Sequence, residues 1–246
     1  MITQRIATSI RQQEWVTIFI EFILVIAGVL IALELDKWNE SRAQNGREIE
    51  ILISEVHELE QNISDMETFI GTLTQVFNFG AIAADSLTND TCSDDCWPEL
   101  VAFFHASQWL DVGLSREVYD QMRRIGLPRD TLLQEKLTAY YNVVKLSRTV
   151  SGNLPRYREL IRSLIPRNLQ QHLWTECFKY ENGDQVLIAD CKAPPQADLI
   201  RRTIDKVKAT PEVETSLNYW LSTVTVMTST LQLAIEALNS YIERER

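Results

Sequence analysis

The chain has 246 residues, 45% of them hydrophobic, with only 8 Gly and 7 Pro. That is enough apolar material for one substantial core or two small ones, and it excludes disorder and collagen-like repeats. The 24 Lys and Arg stand against 34 Asp and Glu, a formal charge of −10, and with no dense basic stripe such a chain repels phosphate backbones, so no nucleic-acid partner is expected.

Residues 1–14 read as a short amphipathic segment, and residues 15–38 as a transmembrane helix. From Val16 to Leu35 the sequence is VTIFIEFILVIAGVLIALEL, in which only Thr17, Glu21 and Glu34 are polar; about 20 such residues cross a hydrocarbon layer of roughly 30 Å. Trp15 and Trp38 bracket the run, roughly 35 Å apart at helical rise, where interfacial indoles settle. A cleaved signal peptide is the competing reading, but the run is longer than a signal core, contains Glu21 and lacks a small-x-small cleavage site. Arg5 and Arg11 precede the span, whereas Lys37 and Arg42 follow it among Glu34, Asp36 and Glu40. The positive-inside rule therefore leans to a cytoplasmic N-terminus, placing residues 39–246 in the periplasm of a bacterial inner-membrane protein.

Within the span, Glu21 shares a helical stripe with Gly28 and Ala32, which fall within about 20° of it on either side at roughly 100° per residue. A carboxylate on the same face as a small-xxx-small pair marks a contact surface for another helix, and Glu21, about 9 Å below Trp15 by helical rise, needs a partner to satisfy it. The bland alternative is a span that tilts or thins the bilayer until Glu21 meets the interface.

From Ile49 onward the apolar positions Ile49, Leu52, Val56, Leu59, Ile63, Met66, Ile70, Leu73 and Phe77 step by threes and fours, predicting a long helix. Asn45-Gly46 either separates it from the span or leaves one continuous rod. Glu48, Glu55, Glu60 and Glu67 make its flank acidic, which penalises a homodimeric coiled coil and favours packing against basic helices of the same chain. Such helices are predicted within Lys136–Leu164, with Lys136, Lys145, Arg148, Arg156, Arg158 and Arg162, and over Leu199–Lys208. A last helix from about Pro211 repeats the heptad at Val213, Leu217, Trp220, Val224, Met227, Leu231, Ala234, Leu238 and Tyr241. Its stretch Ser216–Ile235 lacks charge, but Ser, Thr, Asn and Gln occupy nine of twenty positions, so it reads as a buried helix of a soluble bundle and not a second span.

All four cysteines, Cys92, Cys96, Cys177 and Cys191, follow the span. An even number in an oxidising compartment predicts two disulfides, with three possible connectivities. Pairing Cys92 with Cys96 and Cys177 with Cys191 closes the smallest loops, although a two-residue hairpin at Asn182-Gly183 would set Cys177 opposite Ile188. A zinc site is disfavoured by the C-x3-C and C-x13-C spacings. The expected fold is therefore all-α: a transmembrane helix, then a long-helix antiparallel bundle with one small disulfide-stapled β-hairpin insert.

The run IEFILVIAGVLIALELDKWNESR and the later GLSREVYDQMRRIGLPRDTLLQEKLTAYY resemble a large family of single-span bacterial inner-membrane proteins of unassigned function. The likeness rests on Glu21, Trp38-Asn39-Glu40 with Arg42, then Tyr119, Gly126, Leu137 and Tyr140-Tyr141, and weakens at Leu127-Pro128-Arg129-Asp130, where the family is more apolar. It implies an anchored helical domain and supplies no reaction, cofactor or catalytic residue.

No hydrolase, zincin, dinucleotide or P-loop motif occurs, and His57, His105 and His172 fall in unrelated segments. No catalytic residue, cofactor or metal is expected. His105 and Ser107 form an imaginable base and nucleophile but point to different faces of a helix; Asp90, Asp94 and Asp95 lack the alternation of a calcium loop. The leading expectation is a non-enzymatic anchored protein that associates laterally, with itself or as an accessory subunit of a membrane complex, its partners being lipid and another membrane helix. A pore or proton-conducting oligomer lined by Glu21, and a periplasmic ligand sensor, are the alternatives.

Overall fold

The computed structural model describes residues 2–89, 92, 95–110, 113–181 and 184–245, without the side chains of 2–18, 147, 150, 151, 184, 241 and 243–245. Among them run eight helices and one hairpin: α1 (Ile2–Leu87), α2 (Trp97–Ala106), α3 (Glu117–Arg124), α4 (Thr131–Ser151), α5 (Arg156–Leu164), α6 (Arg167–Glu176), β1 (Phe178–Glu181), β2 (Asp184–Leu187), α7 (Ala197–Lys208) and α8 (Pro211–Glu245). The chain divides into two compact units, Met1–Ser54 and Glu55–Arg246.

The first unit is helical throughout its described residues, and Asn45-Gly46 does not interrupt it. In the second unit, proline sets several boundaries. Pro155 and Pro166 are extended (ψ 133° and 146°) immediately before α5 and α6, and Pro211 opens α8. A residue before proline is driven out of the α region, and proline itself lacks an N–H to continue a helix. The predicted basic stretch Lys136–Leu164 is accordingly two helices, α4 and α5. Helix α3 ends differently: Gly126 takes φ +78°, the Leu127 N–H donates to Met122 O at 2.9 Å and the Gly126 N–H to Arg123 O at 3.3 Å. This paired closure needs a left-handed residue, for which glycine carries no Cβ penalty.

The core centres on α2, in which Trp97, Leu100 and every residue from Val101 to Ala106 are buried. On α1, Leu59, Ile63, Met66 and Leu73 face inward as the heptad predicts, whereas Ile49 (58%) and Phe77 (40%) are exposed. Phe69, Val76 and Ala83 are buried instead. These lie seven apart beside the predicted row, so the helix buries a broad face and not a narrow coiled-coil seam. Glu55 and Glu58 also turn inward, which corrects the reading of Glu55 as part of a solvated acidic rim.

The hairpin pairs Phe178 with Leu187 and Glu181 with Asp184, leaving a two-residue connection at 182 and 183, which lie outside the described residues. The Ile188 N–H still donates to Cys177 O at 3.0 Å, so Cys177 does sit opposite Ile188. Cys177 nonetheless bonds Cys191, and Cys92 bonds Cys96, with Cα separations of 5.0 and 5.3 Å. The two half-cystines need not be cross-strand partners, because the chain leaves the strand after Leu187 and bends before Cys191.

Helix α8 is not the buried helix expected. Val213, Leu217, Trp220, Val224, Leu231 and Leu238 are buried, but Tyr219 (78%), Val226 (62%) and Leu233 (67%) are exposed. Among the described residues, Pro211–Ser240 is the helix long and apolar enough to cross a membrane, and its apolar 18-residue window has mean hydropathy 1.2 and is 17% buried.

Candidate functional site

Of the residues singled out in the predicted span, Trp15 has its side chain outside the described set. Glu21, Gly28 and Ala32 are exposed, and a Cβ built on Gly28 would meet nothing within 4 Å. Phe19, Phe22, Leu24, Val25, Leu30 and Ile31 are between 59% and 65% exposed, so apolar side chains stand free around the helix. Trp38 is 59% exposed, with the Arg42 guanidinium 5.6 Å from its ring centroid.

The second unit holds a polar cluster that sequence periodicity passed over. Tyr141, on α4, reaches Glu55 Oε1 at 2.9 Å and Glu58 Oε1 at 2.8 Å through one hydroxyl. The two carboxyls come from consecutive turns of α1. Glu58 Oε2 further accepts from Ser115 Oγ at 2.7 Å and the Val118 N–H at 3.0 Å, and Oε1 from the Tyr119 N–H at 3.4 Å. A carboxylate on the free amides of a helix N-terminus is a favourable arrangement. One turn on, Asn62 donates to Ser115 O at 2.8 Å and accepts from the Ser115 N–H at 2.7 Å. Glu58 and Asn62 thus fasten the segment leading into α3 onto α1. Tyr119 stacks on Tyr141 with ring centroids 4.1 Å apart, and Tyr140 meets Tyr141 edge-on at 4.8 Å.

Glu55 is 3% exposed, and its Oε2 has no hydrogen-bond partner. Burial pushes its carboxyl up to about 7, against the pull of the Tyr141 hydrogen bond and with a further push from Glu58. Burial also raises the phenols of Tyr140 and Tyr141.

The C-terminus of α2 shows how the basic residues are used. Tyr157 Oη donates to Phe103 O at 3.2 Å, Trp220 Nε1 to Ala106 O at 2.8 Å and Arg158 Nη1 to Ser107 O at 2.8 Å. Arg162 donates to Ser107 Oγ at 2.9 Å and lies 3.4 Å from the Phe104 ring centroid. Cations beside the carbonyl end of a buried helix offset its unpaired acceptors and its dipole. Burial drives the Arg162 guanidinium down to about 9, with Arg158 adding to the effect. These arginines therefore serve α2, a role that the expected match between basic helices and the acidic flank of α1 did not foresee.

His105 and Ser107 are not a base and nucleophile pair. Ser107 Oγ donates to Phe104 O at 2.7 Å, whereas His105 Nε2 lies 3.1 Å from Ile188 O. A carbonyl partner requires that Nε2 carry the proton. Burial lowers the His105 imidazole to about 4. Asp95 Oδ1 accepts from the Trp97 N–H at 3.0 Å at the start of α2; Asp90 and Asp94 lie outside the described residues.

Two apolar cavities flank α8. One, of about 590 Å³, is lined by Trp109, Leu154, Tyr157, Tyr219 and Trp220 among others. The other, of about 490 Å³, lies between Leu137, Tyr140 and Val143 of α4 and Leu233, Ala234 and Leu238 of α8. The early part of α4 thus faces the late part of α8, and Thr149, late in α4, lines the first cavity with Glu212 and Thr215, early in α8, so the two helices run antiparallel.

Comparison of the chain with protein-family models, curated proteins and solved structures finds no match.

Proposed function

We propose that the protein is a non-enzymatic, single-span membrane protein anchored by residues 15–38, with a periplasmic helical bundle and lateral association through the Glu21, Gly28 and Ala32 stripe. The observation that carries this reading is the apolar surface around α1 between Phe19 and Leu35. A helix apolar on every side belongs either in the core of a large protein or in lipid, and these side chains are exposed. Helix α8, by contrast, buries Val213, Leu217, Trp220, Val224, Leu231 and Leu238 in the bundle, and its outer face mixes Ser, Thr and Asn with the exposed Tyr219, Val226 and Leu233, where that of α1 between Phe19 and Leu35 is almost wholly apolar. Two disulfides support an oxidising compartment for the bundle.

Cysteine-accessibility labelling of Glu40→Cys and Gln12→Cys in intact cells tests the arrangement. A membrane-impermeant reagent is expected to modify the first and not the second; the reverse would overturn the topology. Association is tested by blue-native electrophoresis. Gly28→Ile, which fills the space beside the helix, should dissociate the native species, whereas Glu21→Gln, which keeps a hydrogen-bonding group, should leave it largely intact. Unchanged migration of both would remove the stripe as an interface.

A second reading, a ligand-sensing bundle, is favoured by the 590 Å³ cavity, whose size and aromatic lining suit a small apolar molecule. Saturable quenching of tryptophan fluorescence by such a molecule, lost in Trp109→Ala, would favour it.

A further inference from the structure

One phenolic proton cannot serve two carboxylates. Tyr141 Oη lies within hydrogen-bond distance of both Glu55 Oε1 and Glu58 Oε1, so two contacts of 2.9 and 2.8 Å need two protons, one on the phenol and one on a carboxyl. Glu58 is the acceptor, since the amides of Val118 and Tyr119 and the Ser115 hydroxyl all point at it. The second proton therefore belongs to Glu55, which donates to Tyr141, which donates to Glu58.

We propose that Glu55, Tyr141 and Glu58 form a one-proton latch: while the proton is held, the α1 turn at Glu55 stays docked on α4, and when it leaves to solvent, that turn releases while Glu58 keeps α3. Without the proton, Tyr141 can donate to only one carboxylate. Glu58, with three further donors, retains it. Glu55 would be left as an ion in a buried site with Oε2 already lacking a partner, and an unpaired buried charge moves to water or takes its proton back.

Among the described residues, the groups facing this site give Glu55 no substitute cation. From α1 itself come Glu58, Asn62 and, further along, Asp65, with His57 exposed; α4 contributes Tyr140 and Tyr141. From the segment before α3 and from α3 come Ser115, Arg116, Tyr119 and Asp120. Arg116 is bound to Asp120 at 2.7 Å, and Arg148 of α4 donates to Leu114 O. Burial and Glu58 act on Glu55 in the same direction, and its upward displacement to about 7 places the transition near neutrality. Glu55, Tyr141 and Glu58 all belong to the second unit.

The test is hydrogen exchange of the full chain in mild detergent at about pH 5.5 and about pH 8.5, each corrected for intrinsic exchange. Protection over 50–60 is expected to fall by about tenfold or more at the higher pH, with 114–122 unchanged, and Glu55→Gln should hold both segments protected at both pH values. An equal pH response in wild type and Glu55→Gln, or a loss spread through the whole bundle, overturns the latch. Infrared spectroscopy of the wild type supplies a readout that does not depend on the variant folding. A carboxylic-acid C=O band present at the lower pH must disappear by the higher one, and Tyr141→Phe must displace that band. Its absence at the lower pH, or indifference to Tyr141→Phe, also overturns the proposal.

Discussion

Glu55 and His105 are buried titrating groups whose effects on stability oppose each other, and removing either should uncover the other. The Glu55 carboxyl goes from 4.5 to about 7 on folding, so between those values the folded chain holds a proton that the unfolded chain has lost. Stability contributed at acid pH therefore falls as pH rises through this window and is level above it. The His105 imidazole goes from 6.5 to about 4; here the unfolded chain takes up the proton, and stability rises as pH climbs through that window. Each excursion corresponds to about 3 kcal/mol. In the wild type the two nearly cancel between pH 4.5 and 6.5. Glu55→Gln should restore a rise of about 3 kcal/mol toward neutrality, and His105→Gln, which keeps a donor for Ile188 O, a fall of the same size. For a bundle of this size that is roughly 6–12 °C in Tm. The assay is thermal unfolding of the full chain in detergent, followed by circular dichroism across this pH range, with each variant expressed as its difference from wild type so that surface carboxylates cancel. The two residues share no hydrogen-bond partner, so the double variant should be the sum of the singles. If either difference is flat with pH, the burial argument for that residue is refuted.

Gly126→Ala should destabilise by about 1 kcal/mol in denaturant titration, because φ +78° is strained for any residue with a Cβ, although nothing lies within 4 Å of that Cβ. Trp220→Phe keeps most of the buried ring but strands Ala106 O, and should cost about 1–3 kcal/mol in the same assay. Replacing Cys177 and Cys191 together by Ser opens a loop with a sequence separation of 14 and should lower stability by about 3 kcal/mol, whereas opening the Cys92 to Cys96 loop, with a separation of 4, should cost about 2 kcal/mol. Reduction and alkylation of protein purified without reductant should add the mass of four modified thiols; four thiols already free before reduction would contradict both bridges.

Much of the architecture was legible in the chain itself, because it rests on local rules. Steps of three and four from Ile49 to Phe77 dictate a helix whatever packs on it, Pro211 marks where the last helix opens, and the short run between Cys177 and Cys191 suggests a hairpin, with a local bridge as the smallest of the possible loops. The split of Lys136–Leu164 at Pro155 and the left-handed closure at Gly126 emerged only with the structure, although both rest on local rules. What the tertiary structure decided is which face of each helix is inside and which polar groups meet there. The heptad on α1 named Leu59, Ile63, Met66 and Leu73 correctly but could not show that Phe69, Val76 and Ala83 share the burial, because the width of a buried face depends on how many neighbours surround it. Glu55 and Glu58 look in sequence like any solvated flank; they become a site only because α4 brings Tyr141, 83 residues beyond Glu58, and α3 brings its unpaired amides. Arg158 and Arg162 looked like partners for the acidic flank of α1 and instead bind the carbonyl end of α2. A charge pattern records which charges a chain carries. Their partners are chosen by folding, since the desolvation and hydrogen bonds that select one contact over another arise only when distant segments share the same interior.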